Sequence, residues 1–155
     1  MHSGRRKVLQ GTGGLAVMAL AMAAGVFKPG VARADWNKEA FSTKSFADAV
    51  KAMGGSQPAE SKDVVINSPD IAENGAVVPF TISSNLPNTQ SISLLIEKNP
   101  NILAADFDIP QGTDAWINTR VKMGQTSRVI ALVKAGDKYY YSAKEVKVTL
   151  GGCGG

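Results

Sequence analysis

The chain has 155 residues, 44% of them hydrophobic, with 17 basic side chains against 13 acidic ones, a single cysteine and a single histidine. That length fits one globular unit, and a lone cysteine excludes an internal disulfide. The formal charge of +4 would suit a nucleic-acid partner, but its placement along the chain removes that reading.

The excess of base lies at the start. Arg5-Arg6-Lys7 precedes an apolar run from Leu15 to Phe27, and Val31-Ala32-Arg33-Ala34 has the small-residue pattern of a cleavage site. These are the three parts of a secretory signal peptide over residues 1–34. Its apolar run is shorter than the roughly 20 residues that span a bilayer. The adjacent arginines before Val8-Leu9 point to the twin-arginine export route, although Gly4 and Val8 stand where that signal usually has Ser or Thr and Phe. An ordinary secretory leader is the alternative. Without residues 1–34, 12 basic residues remain against 13 acidic, a net charge of −1. The electrostatic basis for nucleic-acid binding is then gone. His2 leaves too, and with it Ser-His-Asp and Cys-His catalysis and a blue-copper site. No cofactor is expected, and periplasmic residence is.

In the remaining chain, residues 35–55 read as helical. Trp36, Phe41, Phe46, Ala49, Val50 and Met53 recur at spacings near three and four, Ser42 or Ser45 caps a break between two short helices, and Gly54-Gly55 ends the pattern. The lysines here are balanced by Glu39 and Asp48, so the segment lacks the basic face of a membrane-surface helix. It is expected to pack on its own domain, and no membrane contact is expected.

Residues 62–150 read as a β-domain of seven or eight short strands. Val64-Val65-Ile66 is followed by a turn at Glu73-Asn74-Gly75 and a strand from Ala76 to Ser83, with Val78, Phe80 and Ile82 on one face. Pro79 cannot donate to a ladder, which places that strand at an edge or at a bulge. Ser91–Glu97 alternates, with Ile92, Leu94 and Ile96 inward. A weaker strand covers Ile102–Ile109, and Ala115–Met123 alternates again. Thr126–Ala135 has the apolar content of a central strand, Gly136-Asp137 is a hairpin turn, and Tyr139–Ser142 and Glu145–Leu150 complete the set. The expected fold is mostly β, an immunoglobulin-like antiparallel β-sandwich with an N-terminal helical segment and a flexible C-terminal arm. Asp106, Asp108 and Asp114 flank a loop without calcium-loop spacing and read as solvated acids. Tyr139, Tyr140 and Tyr141 suit strand-face packing or an interface. Arg120 and Arg128 carry charge that would steer an anion, with nothing in the sequence to place them.

The arm is Gly151-Gly152-Cys153-Gly154-Gly155. No neighbour there has a side chain to shield the thiol, the most nucleophilic side chain at neutral pH. An odd cysteine in an exported protein also suggests intermolecular pairing, so a structural β-sandwich dimerising through a Cys153 disulfide is the alternative reading. The residues alone leave both open. Taken with Val146-Lys147-Val148-Thr149-Leu150, Ala72-Glu73-Asn74-Gly75-Ala76-Val77-Val78-Pro79, Glu97-Lys98-Asn99-Pro100 and the leader, this pentapeptide closely resembles the SoxY family, carrier subunits of the Sox (sulfur oxidation) pathway. The resemblance implies a covalent substrate carrier that is not an enzyme. It implies Cys153 as the attachment point and Gly151, Gly152, Gly154 and Gly155 as the arm that lets it reach into clefts. It further implies a heterodimer with a second β-sandwich subunit, SoxZ. A haem-containing enzyme would conjugate thiosulfate to Cys153 as a cysteine S-thiosulfonate, a hydrolase would release sulfate, and a sulfur dehydrogenase, where present, would oxidise the sulfur left behind.

Overall fold

A computed structural model describes residues 37–149. Two short helices open it, α1 (Lys38–Phe41) and α2 (Phe46–Ala52). Asn37 caps the first by accepting from the Ala40 N–H, and Ser45 caps the second by accepting from the Asp48 N–H. Ser45 also donates to the Asp48 carboxylate at 2.6 Å, so cap and first turn secure each other. The second helix stops at Gly54, whose φ of +83° no β-carbon favours. The Gly55 N–H then closes on the Val50 carbonyl at 2.8 Å.

Nine strands follow: β1 (Ala59–Glu60), β2 (Val64–Asn67), β3 (Ile71–Ala72), β4 (Val78–Ser84), β5 (Thr89–Ile96), β6 (Leu103–Asp108), β7 (Trp116–Val121), β8 (Ser127–Ala135) and β9 (Lys138–Val148). The larger sheet has the order β1-β9-β8-β5-β6, with β3 pairing further along β9; the smaller is β2-β4-β7. The fold is the expected mostly-β sandwich. Two additions depart from a purely antiparallel scheme, because β1 and β3 both run parallel to β9.

The core lies on both faces of the larger sheet. Between the sheets, Ile92, Leu94 and Ile96 of β5 and Val129, Ala131 and Val133 of β8 meet Val78, Phe80 and Ile82 of β4 and Ile117 of β7. On the far face, Leu95, Ile130, Leu132 and Tyr139 are covered by Ala40, Ala49 and Val50 of the helices. Leu95, Ile130 and Leu132 are completely buried, each worth about 1.5–3 kcal/mol of burial. The helical segment packs on its own domain, as expected from its sequence. The Tyr139 hydroxyl donates to the Met53 carbonyl, and Phe46 meets Tyr141 edge-on with ring centroids 5.5 Å apart. Burial, with a smaller push from Asp106, raises the Tyr139 pKa. All three tyrosines of the run face packed surfaces, Tyr140 on the inter-sheet side.

Two expectations are corrected. The strand carrying Pro79 is central in its sheet, not an edge. However, β2 covers only Thr81–Ser84 of it, so Pro79 lies past the end of β2, opposite Arg120 of β7 alone. The missing N–H is accommodated where a central strand is locally uncovered. The two last predicted strands are one: Ser142, Ala143 and Lys144 continue the ladder opposite Ala131, Ile130 and Val129. Asp106 and Asp108 lie in β6, within the strand expected over Ile102–Ile109.

Candidate functional site

Leu150 and the predicted site residues Gly151, Gly152, Cys153, Gly154 and Gly155 lie outside the described residues, as does the predicted leader. The structure does describe the foot from which that segment departs. Strand β9 is held on both flanks up to its last residue. On one side Val146 pairs with Ser127 of β8, and two residues further the Val148 N–H donates to the Thr126 hydroxyl at 2.9 Å. A side-chain oxygen thus takes over where the strand–strand ladder stops. On the other side β3 aligns Ile71 with Lys147 and Ala72 with Val148. The Lys147 N–H donates to the Asp70 carbonyl at 2.9 Å and the Thr149 N–H to the Ala72 carbonyl at 3.1 Å.

The segment leading into β3 is tied to the same strand. Lys144 donates to the Ser68 carbonyl at 2.7 Å and meets the Asp70 carboxylate at 2.8 Å. That hydrogen bond and the ammonium charge hold the Asp70 carboxyl below its ordinary pKa. The following turn is drawn in by the Asn74 carboxamide oxygen, which accepts from the Ala76 N–H at 2.9 Å. At its centre, Gly75 accepts from the Met123 N–H at 2.7 Å. A β-carbon at Gly75 would stand 2.5 Å from the Met123 carbonyl oxygen and 2.8 Å from Cγ1 of Val148. The sequence marked Gly75 as a turn residue. Its structural demand is a close approach of three chain segments at the foot of β9.

Neighbouring loops are joined to this end. The Asn99 side chain donates to the Lys122 carbonyl at 2.8 Å and accepts from the Gly124 N–H at 3.3 Å. The Lys98 N–H donates to the Ser127 hydroxyl at 3.1 Å. Both arginines left unplaced by the sequence lie toward this end of the sandwich. Arg128, level with Glu145 of β9, reaches Glu97 at 3.4 Å; Arg120 lies beside Pro79 on the outer face of the smaller sheet. The clamp residues Thr126, Asp70 and Lys144 were not singled out from sequence. A two-residue parallel strand has no periodicity, and a hydroxyl standing in for a backbone partner leaves no pattern.

Two other places in the fold have features of a site. Asp106 accepts from the Ser93 hydroxyl at 2.7 Å. Partial burial of its carboxyl raises its pKa, against the Ser93 bond and with help from Asp108. Among the described residues no group of three or more His, Cys, Asp or Glu is placed to hold a metal. A depression of about 760 Å³ opens between the 85–90 and 109–115 loops. Those loops adjoin Ser84 and Trp116, at the other end of the β4–β7 ladder from Val78 and Val121, so the depression lies away from the foot of β9. Among the described residues no helix is long and apolar enough to cross a membrane.

The family profile described as "Sulfur oxidation protein SoxY" matches residues 49–153. The solved sulfur carrier protein SoxY of Chlorobium limicola f thiosulfatophilum is 38% identical, with 66% of this chain and 94% of that one covered and a TM-score of 0.61. The chain belongs to the SoxY family. A superoxide reductase (neelaredoxin) of Ignicoccus hospitalis, 16% identical over 56% of this chain and 79% of its own with a TM-score of 0.50, shares the fold alone. No curated protein sequence matches. The SoxY match agrees with the mostly-β reading and with the expectation of a sulfur-oxidation protein. The Chlorobium relative is itself a carrier, the class expected here in place of an enzyme.

Proposed function

We propose that this chain is a periplasmic carrier of sulfur oxidation, holding thiosulfate-derived intermediates on Cys153 and presenting them to successive enzymes. The reading rests most on one observation: the SoxY match runs to residue 153 and so takes in Gly151, Gly152 and Cys153. The foot of β9 supports it. Hydrogen bonds on both flanks fix the chain up to Thr149, and Cys153 is four residues further, a reach of at most about 14 Å. A fixed foot with a short glycine tether delivers the thiol within a defined radius, and glycine keeps the tether narrow enough for a cleft. In this reading residues 1–34 are a leader removed on export by the twin-arginine route. Residues 35–55 are the helical segment, 62–150 the sandwich and 151–155 the arm.

The chemistry asks little of the carrier. The Cys153 thiol and thiosulfate give Cys–S–S–SO3⁻, releasing one proton and two electrons to the haem-containing enzyme that couples them. Water then cleaves the S–SO3 bond in the hydrolase. Sulfate and a proton leave, and the persulfide Cys–S–SH stays on the arm for a sulfur dehydrogenase where one is present. The carrier contributes a nucleophile and its presentation, and works as a heterodimer with SoxZ. A Cys153→Ser variant is expected to fold normally and to abolish thiosulfate-dependent electron transfer in a reconstituted system. Retained transfer refutes the assignment.

A further inference from the structure

Four large apolar side chains stand out as exposed among the described residues: Val65, Ile71, Val77 and Trp116. Two of them, Ile71 at 56% exposure and Val77 at 50%, border the foot of β9. Ile71 lies level with Lys147, one step before the Ala72–Val148 pair that ends the ladder. Val77 closes the turn whose Gly75 abuts Val148, its N–H donating to the Asn74 carbonyl at 3.3 Å. Strand alternation turns the next residues, Ala72 and Val78, into the core and leaves Ile71 and Val77 outside. The fold therefore gains little from apolar side chains at these two positions.

We propose that Ile71 and Val77 form a collar that contacts the mouth of the enzyme coupling thiosulfate to Cys153. The inference rests on the carrier reading and adds the surface by which the body of the carrier is recognised. The tether supplies the argument. With Cys153 at most about 14 Å from Thr149, an enzyme that draws the thiol into a cleft brings the rim of that cleft onto the residues around Thr149. Those residues present Ile71 and Val77 together with exposed charges of both signs, Glu73, Lys122 and Lys147. Mixed charges give no field to steer a partner, whereas apolar contact is non-directional and sheds water. The matching occupant is an enzyme surface with an apolar rim around a narrow entrance. Two half-exposed side chains fall far short of the roughly 800 Å² per partner that a stable complex buries, so the contact forms and releases, as a carrier visiting several enzymes requires.

The test measures coupling of thiosulfate to the exported protein by the purified haem-containing enzyme of the same host. It compares wild type, the double variant Ile71→Ser/Val77→Ser, and Trp116→Ser. Trp116 is equally exposed, at 56%, but lies opposite Ser83, five residues along the ladder from the Val78–Val121 pair. The double variant is expected to raise KM about 10-fold with kcat unchanged, and Trp116→Ser to leave both as in wild type. Alkylation of Cys153 by iodoacetamide is expected at the same rate in all three, showing that the thiol itself is undisturbed. An unchanged KM in the double variant, or an equal rise in Trp116→Ser, overturns the collar. A wild-type protein that takes up no thiosulfate defeats the carrier reading beneath it, a result distinct from either.

Discussion

Replacing Gly75 by alanine tests the packing at the foot of β9. The added β-carbon falls 2.5 Å from the Met123 carbonyl oxygen and 2.8 Å from Cγ1 of Val148, where ordinary contact begins at 3.4 Å. Nothing nearby yields easily. The oxygen is backbone, and the Met123 N–H is itself bonded to the Gly75 carbonyl at 2.7 Å. Relief therefore moves either the turn or the end of β9. Overpacking of this kind costs about 1–3 kcal/mol, and weakening the Gly75–Met123 bond adds about 0.5–1.5 kcal/mol. Gly75 is not among the glycines at positive φ, so alanine incurs no backbone strain and recovers about 0.4–1 kcal/mol by restricting the unfolded chain. The net loss is about 0.5–4 kcal/mol, read as a lower urea midpoint by circular dichroism. Gly124 on the adjoining loop is the control: a β-carbon there meets nothing within 4 Å, and Gly124→Ala is expected to be neutral or slightly stabilising. Equal stability of Gly75→Ala and wild type, or an equal loss in Gly124→Ala, refutes the reasoning.

Other outcomes follow from the same geometry. Phe80→Ala, emptying the space between the sheets, is expected to cost about 3–5 kcal/mol, and Leu132→Ala, under the helices, about 2–5 kcal/mol, both by urea denaturation. Deleting residues 37–55 uncovers Leu95, Ile130 and Leu132, and strong binding of an apolar dye is expected; a deletion mutant that binds none contradicts the packing of α1 and α2. Asp106 has a raised pKa in the fold, so its ionised form is disfavoured. That cost is absent below the ordinary carboxylate pKa and complete once pH has risen past the raised value. Asp106→Asn is therefore expected to match wild type in acid and exceed it at neutral pH. Asp70 shows the reverse, its lowered pKa giving a contribution present above the ordinary value and lost as pH falls through the lowered one. Asp70→Asn removes that part of the acid transition, an effect that fades at 1 M salt because the Asp70 carboxylate is exposed.

The legible parts of this fold were those with a period. Val78, Phe80 and Ile82 alternate with exposed or half-exposed residues and point into the core as their pattern implies. In β5 the alternation was misleading in part, because Ser91 to Ile96 are all buried. Leu95 looks outward in a two-layer sandwich and lies under a helix in the actual one. Only the third layer explains the unbroken apolar run of Val129–Val133. The break expected at Ala143-Lys144 does not occur, because backbone pairing with Ile130 and Val129 carries β9 through it. Lys144 is instead the residue that ties the 68–70 segment to that strand. The candidate site divides the same way. The Gly-Gly-Cys-Gly-Gly pattern was plain in sequence, whereas the clamp at its foot joins Asp70, Ala72, Gly75, Met123, Thr126 and Val148, distant in sequence and without a shared motif.

The central claim is that Cys153 carries sulfur between enzymes, and intact-mass spectrometry of the protein exported by its native host during growth on thiosulfate tests it most directly. The account predicts a population bearing sulfur-containing adducts, located by peptide mapping to Cys153 and absent from Cys153→Ser. A population made up wholly of unmodified homodimer linked through a Cys153 disulfide would contradict it, and would establish the structural reading in its place.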